Sequence, residues 1–289
     1  MIRMTSTLSK SRDFIISMWM MFRGINKKLD FLLLVFLHIL LYLARLKFFD
    51  NMVLNKPCIG VKLSIYGGTF CLARWSDIFV LDPRYERVVT KTIIKILNQQ
   101  IKGVGEEMIF VDVGAHIGRY TILVAKFMKG GLIIAIEPEP YNFRALVCSI
   151  RSSRLKNVIA YRAAAHDISG KTLRLYGYGA ASSIAIQWSD RSSLVESVSL
   201  DDLLKTLHSN VKLSQYKLII KIDVEGNELN VIKGAMKTLT NYRPIIICEI
   251  FNRNLKYVAK YLKDFKYKMQ RLDDRNYLIY PEELEGIKP

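Results

Sequence analysis

The sequence predicts an α/β protein built on a doubly wound, mostly parallel sheet. Short, β-prone apolar runs alternate along the chain with longer segments that have apolar residues at helical spacing. Several runs, such as MIFVDV at 108–113, are apolar almost throughout, as expected for strands buried on both faces of a parallel sheet. We therefore divide the 289-residue chain into a very apolar segment at 1–50, a lead-in at 51–105 and the α/β domain at 106–289.

The N-terminal segment contains two apolar runs, at 14–22 and 31–43, separated by a basic stretch. Each run is shorter than the roughly 20 residues that cross a bilayer as a helix. With basic residues on their flanks, the runs predict helices that lie on an anionic membrane surface through residues 14–47. A helical hairpin packed on the protein and a signal peptide are the alternatives, although no small-residue cleavage site follows Leu43. The membrane-surface interpretation places the domain in the cytoplasm.

The net charge limits the kinds of binding partner, and the cysteine content indicates the redox compartment. The net charge of +17 favours an anionic partner such as a membrane surface. Nucleic-acid binding is not predicted, because the sequence has no dense basic cluster with interleaved aromatic residues. Cys58, Cys71, Cys148 and Cys248 have no metal-binding spacing. We expect a reducing compartment, with Cys148 and Cys248 as small buried groups. A bridge between Cys58 and Cys71 stays open.

The lead-in predicts two strands and a helix. VKLSIYGGTFCLAR, at 61–74, reads as two alternating strands around a turn at Gly67 and Gly68. YERVVTKTIIKILNQQI, at 85–101, has apolar residues at helical spacing.

The domain then alternates strand and helix. Its predicted elements are, in order, the strand MIFVDV, the loop GAHIG, the helix RYTILVAKFMK, the strand LIIAIE, the helix PYNFRALVCSIRSS, and the strands NVIAYRAA, KLIIKID and PIIICEI. In such sheets ligands bind at the carboxyl ends of the strands, where the strand order reverses.

The loop after the first strand indicates the ligand. Gly114 and Gly118 let the backbone turn sharply and approach a ligand closely, while Asp112 and Glu137, at the tips of two strands, offer acceptors for an amine and a ribose diol. A dinucleotide site requires GxGxxG, whereas this spacing is DxGxxxG and lacks the middle glycine. A cofactor with a ribose and an amino-acid tail but no phosphate fits better, which indicates S-adenosylmethionine.

The later motifs resemble a known family. From about 109 to 249 the order VDVGAHIGRYT, IAIEPEPYNFRAL, AAAHDISG, SLDDLL, IIKIDVEGNELNVIKGA and PIIICE closely resembles the FkbM-like family of S-adenosylmethionine-dependent methyltransferases. The resemblance implies a seven-stranded, Rossmann-like methyltransferase sheet whose last two strands, FKYKMQRL and NYLIYP, form an antiparallel hairpin. It also implies O-methylation, often of a sugar or glycan hydroxyl.

The resemblance also assigns the cofactor contacts by matching position. Glu137 would bind the ribose hydroxyls, and Asp167, in the AAAHD loop, would lie near the adenine amine. Many family members have asparagine where this chain has His116. The residues implied to surround the methionine part are Asp112, Gly114, Ala115, His116 and Gly118.

Three carboxylates are candidates for the chemistry. Asp223 and Glu249 end two strands and Glu225 follows Asp223 closely, so all three should reach one rim of the sheet. Methyl transfer is an in-line displacement helped by holding the acceptor oxygen and then by removing its proton, and Asp223 is our first candidate for either role. Glu225 and Glu249 would orient sugar hydroxyls or join Asp223 around a divalent cation, although we assign no metal. Glu225 has helix capping near Gly226 as its alternative, and Lys221 either pairs with one of these acids or is a rim charge.

The sequence thus predicts a methyltransferase that acts on a hydroxyl of a sugar or lipid-linked glycan at a membrane surface. The alternatives are an acceptor that is an RNA ribose or another small molecule, and a degenerate membrane-attached scaffold. GYGAASSIAIQW, at 177–188, predicts a lip over the site, where Ser182 and Ser183 either touch substrate or form turns.

Overall fold

The computed structural model describes residues 62–65, 67–104, 108–128, 131–177, 179–187, 189–208 and 216–284. The predicted membrane-surface helices at 14–47 lie outside the described residues. Within the described part of the chain, no helix combines the length and the apolar character needed to cross a membrane.

The described part of the chain folds into strands and helices that alternate through most of the central domain. The strands are β1 Lys62–Ile65, β2 Gly68–Cys71, β3 Met108–Val113, β4 Leu132–Ile136, β5 Val158–Tyr161, β6 Ala164–Ala165, β7 Thr172–Tyr176, β8 Ser192–Val198, β9 Lys217–Ile222, β10 Ile245–Glu249, β11 Tyr267–Arg271 and β12 Asn276–Pro281. The helices are α1 Arg87–Val104, α2 Arg119–Phe127, α3 Pro140–Ser152, α4 Leu200–His208, α5 Glu228–Lys233, α6 Met236–Asn241 and α7 Asn252–Asp264, with short 3₁₀ helices at Trp75–Leu81, Gly179–Ala181 and Glu282–Leu284.

The central sheet has seven strands in the order β11-β12-β10-β9-β3-β4-β5. Strands β10, β9, β3, β4 and β5 are parallel, and β12 is antiparallel to both β10 and β11. The predicted doubly wound sheet with a terminal hairpin is confirmed. The strand order reverses between β3 and β9, so their carboxyl ends border the crevice in which such folds bind ligands.

The central sheet is buried on both faces, since alternate side chains of β3 pack into two different apolar clusters. Ile109, Val111 and Val113 belong to one buried cluster, whereas Met108 and Phe110 belong to another on the opposite face. Successive side chains of a strand point to opposite faces, so an almost wholly apolar run is required here. This pattern is the physical reason that MIFVDV could be recognised as a central strand.

The lead-in forms the predicted elements but packs into the domain core. Strands β1 and β2 form the expected hairpin, and β2 lies against α3, where the amide of Cys71 donates to Ser149 Oγ at 2.8 Å. Buried residues from β2 and α3, such as Phe70 and Leu146, share one apolar cluster. The described residues of the lead-in therefore pack against the domain, and the predicted division at residue 105 stays a prediction.

The cysteine prediction was wrong at one pair. Cys71 and Cys148 form a disulfide with a Cα–Cα distance of 5.8 Å, whereas Cys248 is a buried free thiol as expected. The bonded residues are 77 positions apart, and no local pattern reveals that β2 docks on α3. Disulfides are rare in reducing compartments, so this bond argues against the compartment that the sequence favoured.

A smaller sheet, in the order β6-β8-β7, branches from the domain between β5 and β9. The sequence did not predict it. The segment between β7 and β8 reaches the carboxyl ends of the central strands, where Gly179, Ala180, Ser182 and Ile184 line a cleft.

Candidate active site

A cleft of about 870 Å³, part of it open to solvent, lies over the carboxyl ends of β3, β4 and β9. Its polar and charged lining residues are Glu86, Asp112, His116, Arg119, Glu137, Asn142, Ser182, Lys221, Asp223, Glu225 and Asn227. The sheet thus brings eight of the eleven predicted site residues to one place, whereas Gly118, Asp167 and Glu249 do not line the cleft.

Most backbone amides of the loop after β3 already donate hydrogen bonds within the protein, so the loop offers few donors to a ligand. Gly114 has φ +81°, and a Cβ at this position would lie 1.7 Å from the carbonyl oxygen of Asp223, so only glycine fits. The amides of Gly114 and Ala115 already donate to the carbonyl of Ile136, and that of Gly118 donates to Ala115. A phosphate requires free backbone amides, whereas this loop presents acidic side chains. These acceptors therefore suit a ligand with an amine, a sulfonium and ribose hydroxyls, as S-adenosylmethionine has.

Glu137 is a buried carboxylate that organises the loop and borders the cleft. One oxygen accepts from the amide of His116 at 2.7 Å, and the other accepts from the amide of Glu139 at 2.9 Å and from Asn142 Nδ2 at 3.3 Å. A carboxylate has about four acceptor positions, so capacity remains for a ligand hydroxyl. Burial raises the pKa of Glu137 to about 7.

Asp112 links the strand to the helix that follows the loop. Its Oδ2 accepts from Thr121 Oγ1 at 2.6 Å, and it lies in register with Lys221 on β9. Burial raises the pKa of Asp112, although the Lys221 ammonium opposes the shift.

His116 occupies a left-handed backbone position, with φ 52°. Histidine is among the residues that tolerate this region. Its Nε2 lies 3.3 Å from Asp77 Oδ1. Burial alone would lower the pKa of His116, but the Asp77 carboxylate outweighs burial and the pKa is raised.

Asp167 is not among the residues that line the cleft. Its carboxylate lies 2.5 Å from His166 Nδ1, and its side chain is 39% exposed. Ala164 and Ala165, just before it, do line the cleft. The assignment of Asp167 to the adenine amine stays a prediction.

Lys221 is a buried ammonium on β9 that borders the cleft. It is 2% exposed, its Nζ lies 2.8 Å from Asp223 Oδ2, and it lies 4.9 Å from the centre of the Tyr120 ring. Burial opposes the charge, but Asp223 and the other nearby acids hold the pKa of Lys221 well above its usual value. Of the two interpretations that the sequence left open, the structure supports pairing.

Asp223, Glu249 and Glu86 converge on one another. Each offers a carboxylate oxygen, and these oxygens all lie within 4.8 Å of one another. Burial would raise the pKa of Asp223, but Lys221 and hydrogen bonds lower it, whereas burial and the charge of Asp223 raise the pKa of Glu249 to about 9. At neutral pH, Asp223 is ionised and Glu249 carries a proton. We assign no metal here, since the Lys221 ammonium already neutralises Asp223.

Glu225 also borders the cleft, with φ 51°. Burial and the charge of Asp223 raise its pKa to about 7. Helix α5 begins only at Glu228, and the amide of Gly226 donates to Glu228 at 2.7 Å. The capping alternative for Glu225 is therefore not supported.

Two residues from the lead-in, Tyr85 and Glu86, line the cleft and were missed by sequence reasoning. Arg119, the first residue of α2, is buried and donates to the carbonyls of Tyr85, at 2.6 Å, and of Val80. The hydroxyl of Tyr120 donates to Glu86 at 2.8 Å. No local motif in the lead-in marks these residues, because only tertiary packing brings them to the rim.

Asn142 was also missed, although it lies within the PYNF motif. Its Nδ2 donates to the carbonyl of Gly179 at 3.1 Å and its Oδ1 accepts from Arg74 at 2.9 Å, so it joins α3 to the predicted lip. Ser183 of the lip is buried and donates to the carbonyl of Glu225 at 2.7 Å, which is a structural role. Ser182 does line the cleft.

Glu249 gives a pH-dependent prediction. Its pKa is raised from 4.5 to about 9, so the folded protein keeps a proton that the unfolded chain releases. This carboxyl therefore loses its stabilising effect as pH rises from about 5 to about 9. We expect Glu249→Gln to gain in free energy of unfolding relative to the wild type across this range, as measured by urea denaturation. A stability difference that does not change with pH would contradict the raised pKa.

Comparison with known proteins points to one family. Residues 112–278 match the model of the methyltransferase FkbM domain. Over 66 residues, the chain is 38% identical to a tRNA(Phe) (4-demethylwyosine(37)-C(7)) aminocarboxypropyltransferase of Methanocaldococcus jannaschii, a match that covers 23% of this chain and 26% of that protein.

Solved structures of low sequence identity are also similar. Methyltransferase FkbM from Methylobacillus flagellatus KT has a TM-score of 0.44 and 18% identity, and the match covers 61% of this chain and 44% of that chain. M. jannaschii TYW2 in complex with AdoMet has a TM-score of 0.36 and 16% identity, and the match covers 76% of this chain and 82% of that chain. The chain thus spans less than half the length of the first of these structures.

Proposed function

Because the chain belongs to the FkbM family of S-adenosylmethionine-dependent methyltransferases, with the match covering more than half of its length, we propose that it methylates a hydroxyl of a sugar or lipid-linked glycan. The observation that carries this proposal is the position of Asp223. Its ionised carboxylate opens onto the same cleft as the loop that contains Gly114 and His116.

The cofactor end of the cleft is formed by the loop after β3 and by the end of β4. Glu137 accepts hydrogen bonds from the ribose hydroxyls. Asp112 holds the loop through its hydrogen bond with Thr121 and presents negative charge to a cationic ligand. When bound, S-adenosylmethionine would supply an electrophilic methyl group, and cleavage of its sulfur–methyl bond would leave the neutral thioether S-adenosylhomocysteine.

The acceptor end of the cleft holds the hydroxyl and takes up its proton. Asp223 accepts a hydrogen bond from the hydroxyl and so directs the oxygen towards the cofactor end. As the oxygen becomes methylated, its proton becomes strongly acidic and passes to Asp223. Even a carboxylate whose pKa is low is therefore a sufficient base, and protonated Glu249 donates to Asp223 and keeps it in position.

A neutral, hydroxyl-rich acceptor fits the charge of the cleft. Glu86, Asp223 and Glu225 border the acceptor end, and a phosphate backbone would meet these carboxylates. This charge supports a sugar over the alternative of an RNA ribose.

A membrane surface supplies such an acceptor in a lipid-linked glycan. The apolar, basic-flanked runs within 14–47 and the net charge of +17 support attachment to anionic lipid. A cytoplasmic location stays a prediction, and the Cys71–Cys148 disulfide weighs against it.

Calorimetric titration of S-adenosylmethionine and of its demethylated product tests the cofactor site. We expect micromolar binding by the 289-residue chain and a loss of at least about tenfold in the double variant Asp112→Ala, Glu137→Ala, because both carboxylates face the cofactor end. An exposed double variant, Asp264→Ala with Glu196→Ala, is the control and should bind as the wild type does. A folded wild-type chain that binds neither ligand would refute the proposal and favour the degenerate scaffold.

A further inference from the structure

We propose that Tyr85 and Glu86 form the wall of the cleft that selects the acceptor, and that they select an uncharged sugar ring. This inference rests on the proposed function and deepens it. The Tyr85 ring stacks on the apolar C–H face of the sugar, and the Glu86 carboxylate accepts hydrogen bonds from its hydroxyls.

Both residues lie outside the stretch that matches the family. The match begins at residue 112, whereas Tyr85 and Glu86 lie just before α1 in the lead-in. The family motifs therefore supply the cofactor loop and the strand-end carboxylates, while this part of the acceptor wall comes from elsewhere in the chain. Acceptor selectivity can then differ between proteins that share the same motifs.

The geometry places both side chains at the reacting end of the cleft. Glu86 offers a carboxylate oxygen within 4.8 Å of oxygens on Asp223 and Glu249. Tyr85 lines the same cleft and is 42% exposed, so its aromatic surface is accessible to a ligand. An aromatic face beside a convergent set of carboxylates matches a sugar, which is apolar on one face and rich in hydroxyl donors at its edge.

The wall is held rigidly before any acceptor arrives. Arg119 donates to the carbonyl of Tyr85 and to Thr90 Oγ1, and its guanidinium lies 5.2 Å from the centre of the Tyr85 ring. Glu86 is held at φ 45°, in the left-handed region, and its carboxylate accepts from the hydroxyl of Tyr120. A strained backbone that buried contacts maintain at a cleft is a frequent mark of a functional position. A preorganised wall also lowers the ordering cost of binding.

The charge of the wall excludes anionic sugars. Glu86, Asp223 and Glu225 face the cleft, and the nearby Lys221 ammonium is already paired with Asp223. A uronic acid or a sugar phosphate would bring a further negative charge against these carboxylates.

Ligand-observed NMR with the 289-residue chain, saturated with S-adenosylhomocysteine, tests this proposal. The probes are methyl glycosides of neutral hexoses, with methyl glucuronide and glucose 6-phosphate as anionic counterparts. We expect neutral glycosides alone to bind, with Kd raised at least about tenfold by Tyr85→Ala and by Glu86→Gln, because each change removes one of the two contacts. Tyr85→Phe keeps the ring and should keep the affinity.

Matched controls separate a local effect from a general one. Tyr257→Ala and Glu196→Gln remove an exposed ring and an exposed carboxylate that do not line the cleft, and should leave glycoside binding unchanged. Equal glycoside affinity in the wild type and both wall variants, preferred binding of the anionic probes, or no glycoside binding would each overturn the inference. In those cases S-adenosylhomocysteine still binds, whereas loss of that binding as well would show that the cofactor site of the proposed function fails.

Discussion

Asp223→Asn is expected to lower the rate of methyl transfer by about 10²- to 10⁴-fold, with little change in affinity for S-adenosylmethionine. Asp223 lies at the end of β9 and accepts from Lys221, and it is the ionised member of the carboxylate group that faces the acceptor. An asparagine keeps the shape but cannot take up the proton that the acceptor hydroxyl must lose.

Turnover with the glycoside that best supports methylation measures this effect, and calorimetry measures cofactor affinity in the same variant. Asp264→Asn, at the exposed end of α7, is the control and should retain wild-type turnover. If Asp223→Asn retains turnover within about threefold while it binds cofactor, then Asp223 does not act on the acceptor. Glu225, whose pKa is raised to about 7, would then be the better candidate for the base.

The fold could be predicted because burial dictates a pattern that is visible in single segments. PIIICEI and KLIIKID read as strands buried on both faces, and both form neighbouring parallel strands, β10 and β9. The smaller sheet escaped prediction because β8, SSLVESV, does not alternate strictly between polar and apolar residues, and the alternation of β7 covers only five residues.

The site was predictable where its residues end strands or lie in the glycine loop after β3. Asp112, Glu137, Asp223 and Glu249 could be placed on one rim because the carboxyl ends of parallel strands meet there. Glu86 carries no such signal, since its position depends on how the lead-in packs against α2.

The same limit applies to burial and charge. The sequence was equally consistent with two roles for Lys221, a rim charge or a partner in an ion pair. The residue pattern along β9 does not show which residues of neighbouring elements cover the end of the Lys221 side chain. The Tyr120 ring and the Asp223 carboxylate cover it in the fold. Cys71 and Cys148 illustrate the same point, since their pairing depends on the docking of β2 against α3.

Lys221→Met is expected to lower the free energy of unfolding by about 3–5 kcal/mol at neutral pH. The change removes the buried ammonium and leaves Asp223 charged without its partner. Asp223→Asn should destabilise for the converse reason, because it leaves the ammonium buried and unpaired. Urea denaturation followed by circular dichroism measures both losses.

The double variant Lys221→Met, Asp223→Asn separates pairing from packing. If each single loss arises from an uncompensated charge, removing both charges should recover much of the stability, so the double variant should be more stable than either single variant. Asp112 does not prevent this recovery, because burial already raises its pKa and it can take up a proton when the ammonium is gone. Losses that simply add in the double variant would show that Lys221 and Asp223 act independently, and Lys221 would then not be the group that keeps Asp223 ionised for catalysis.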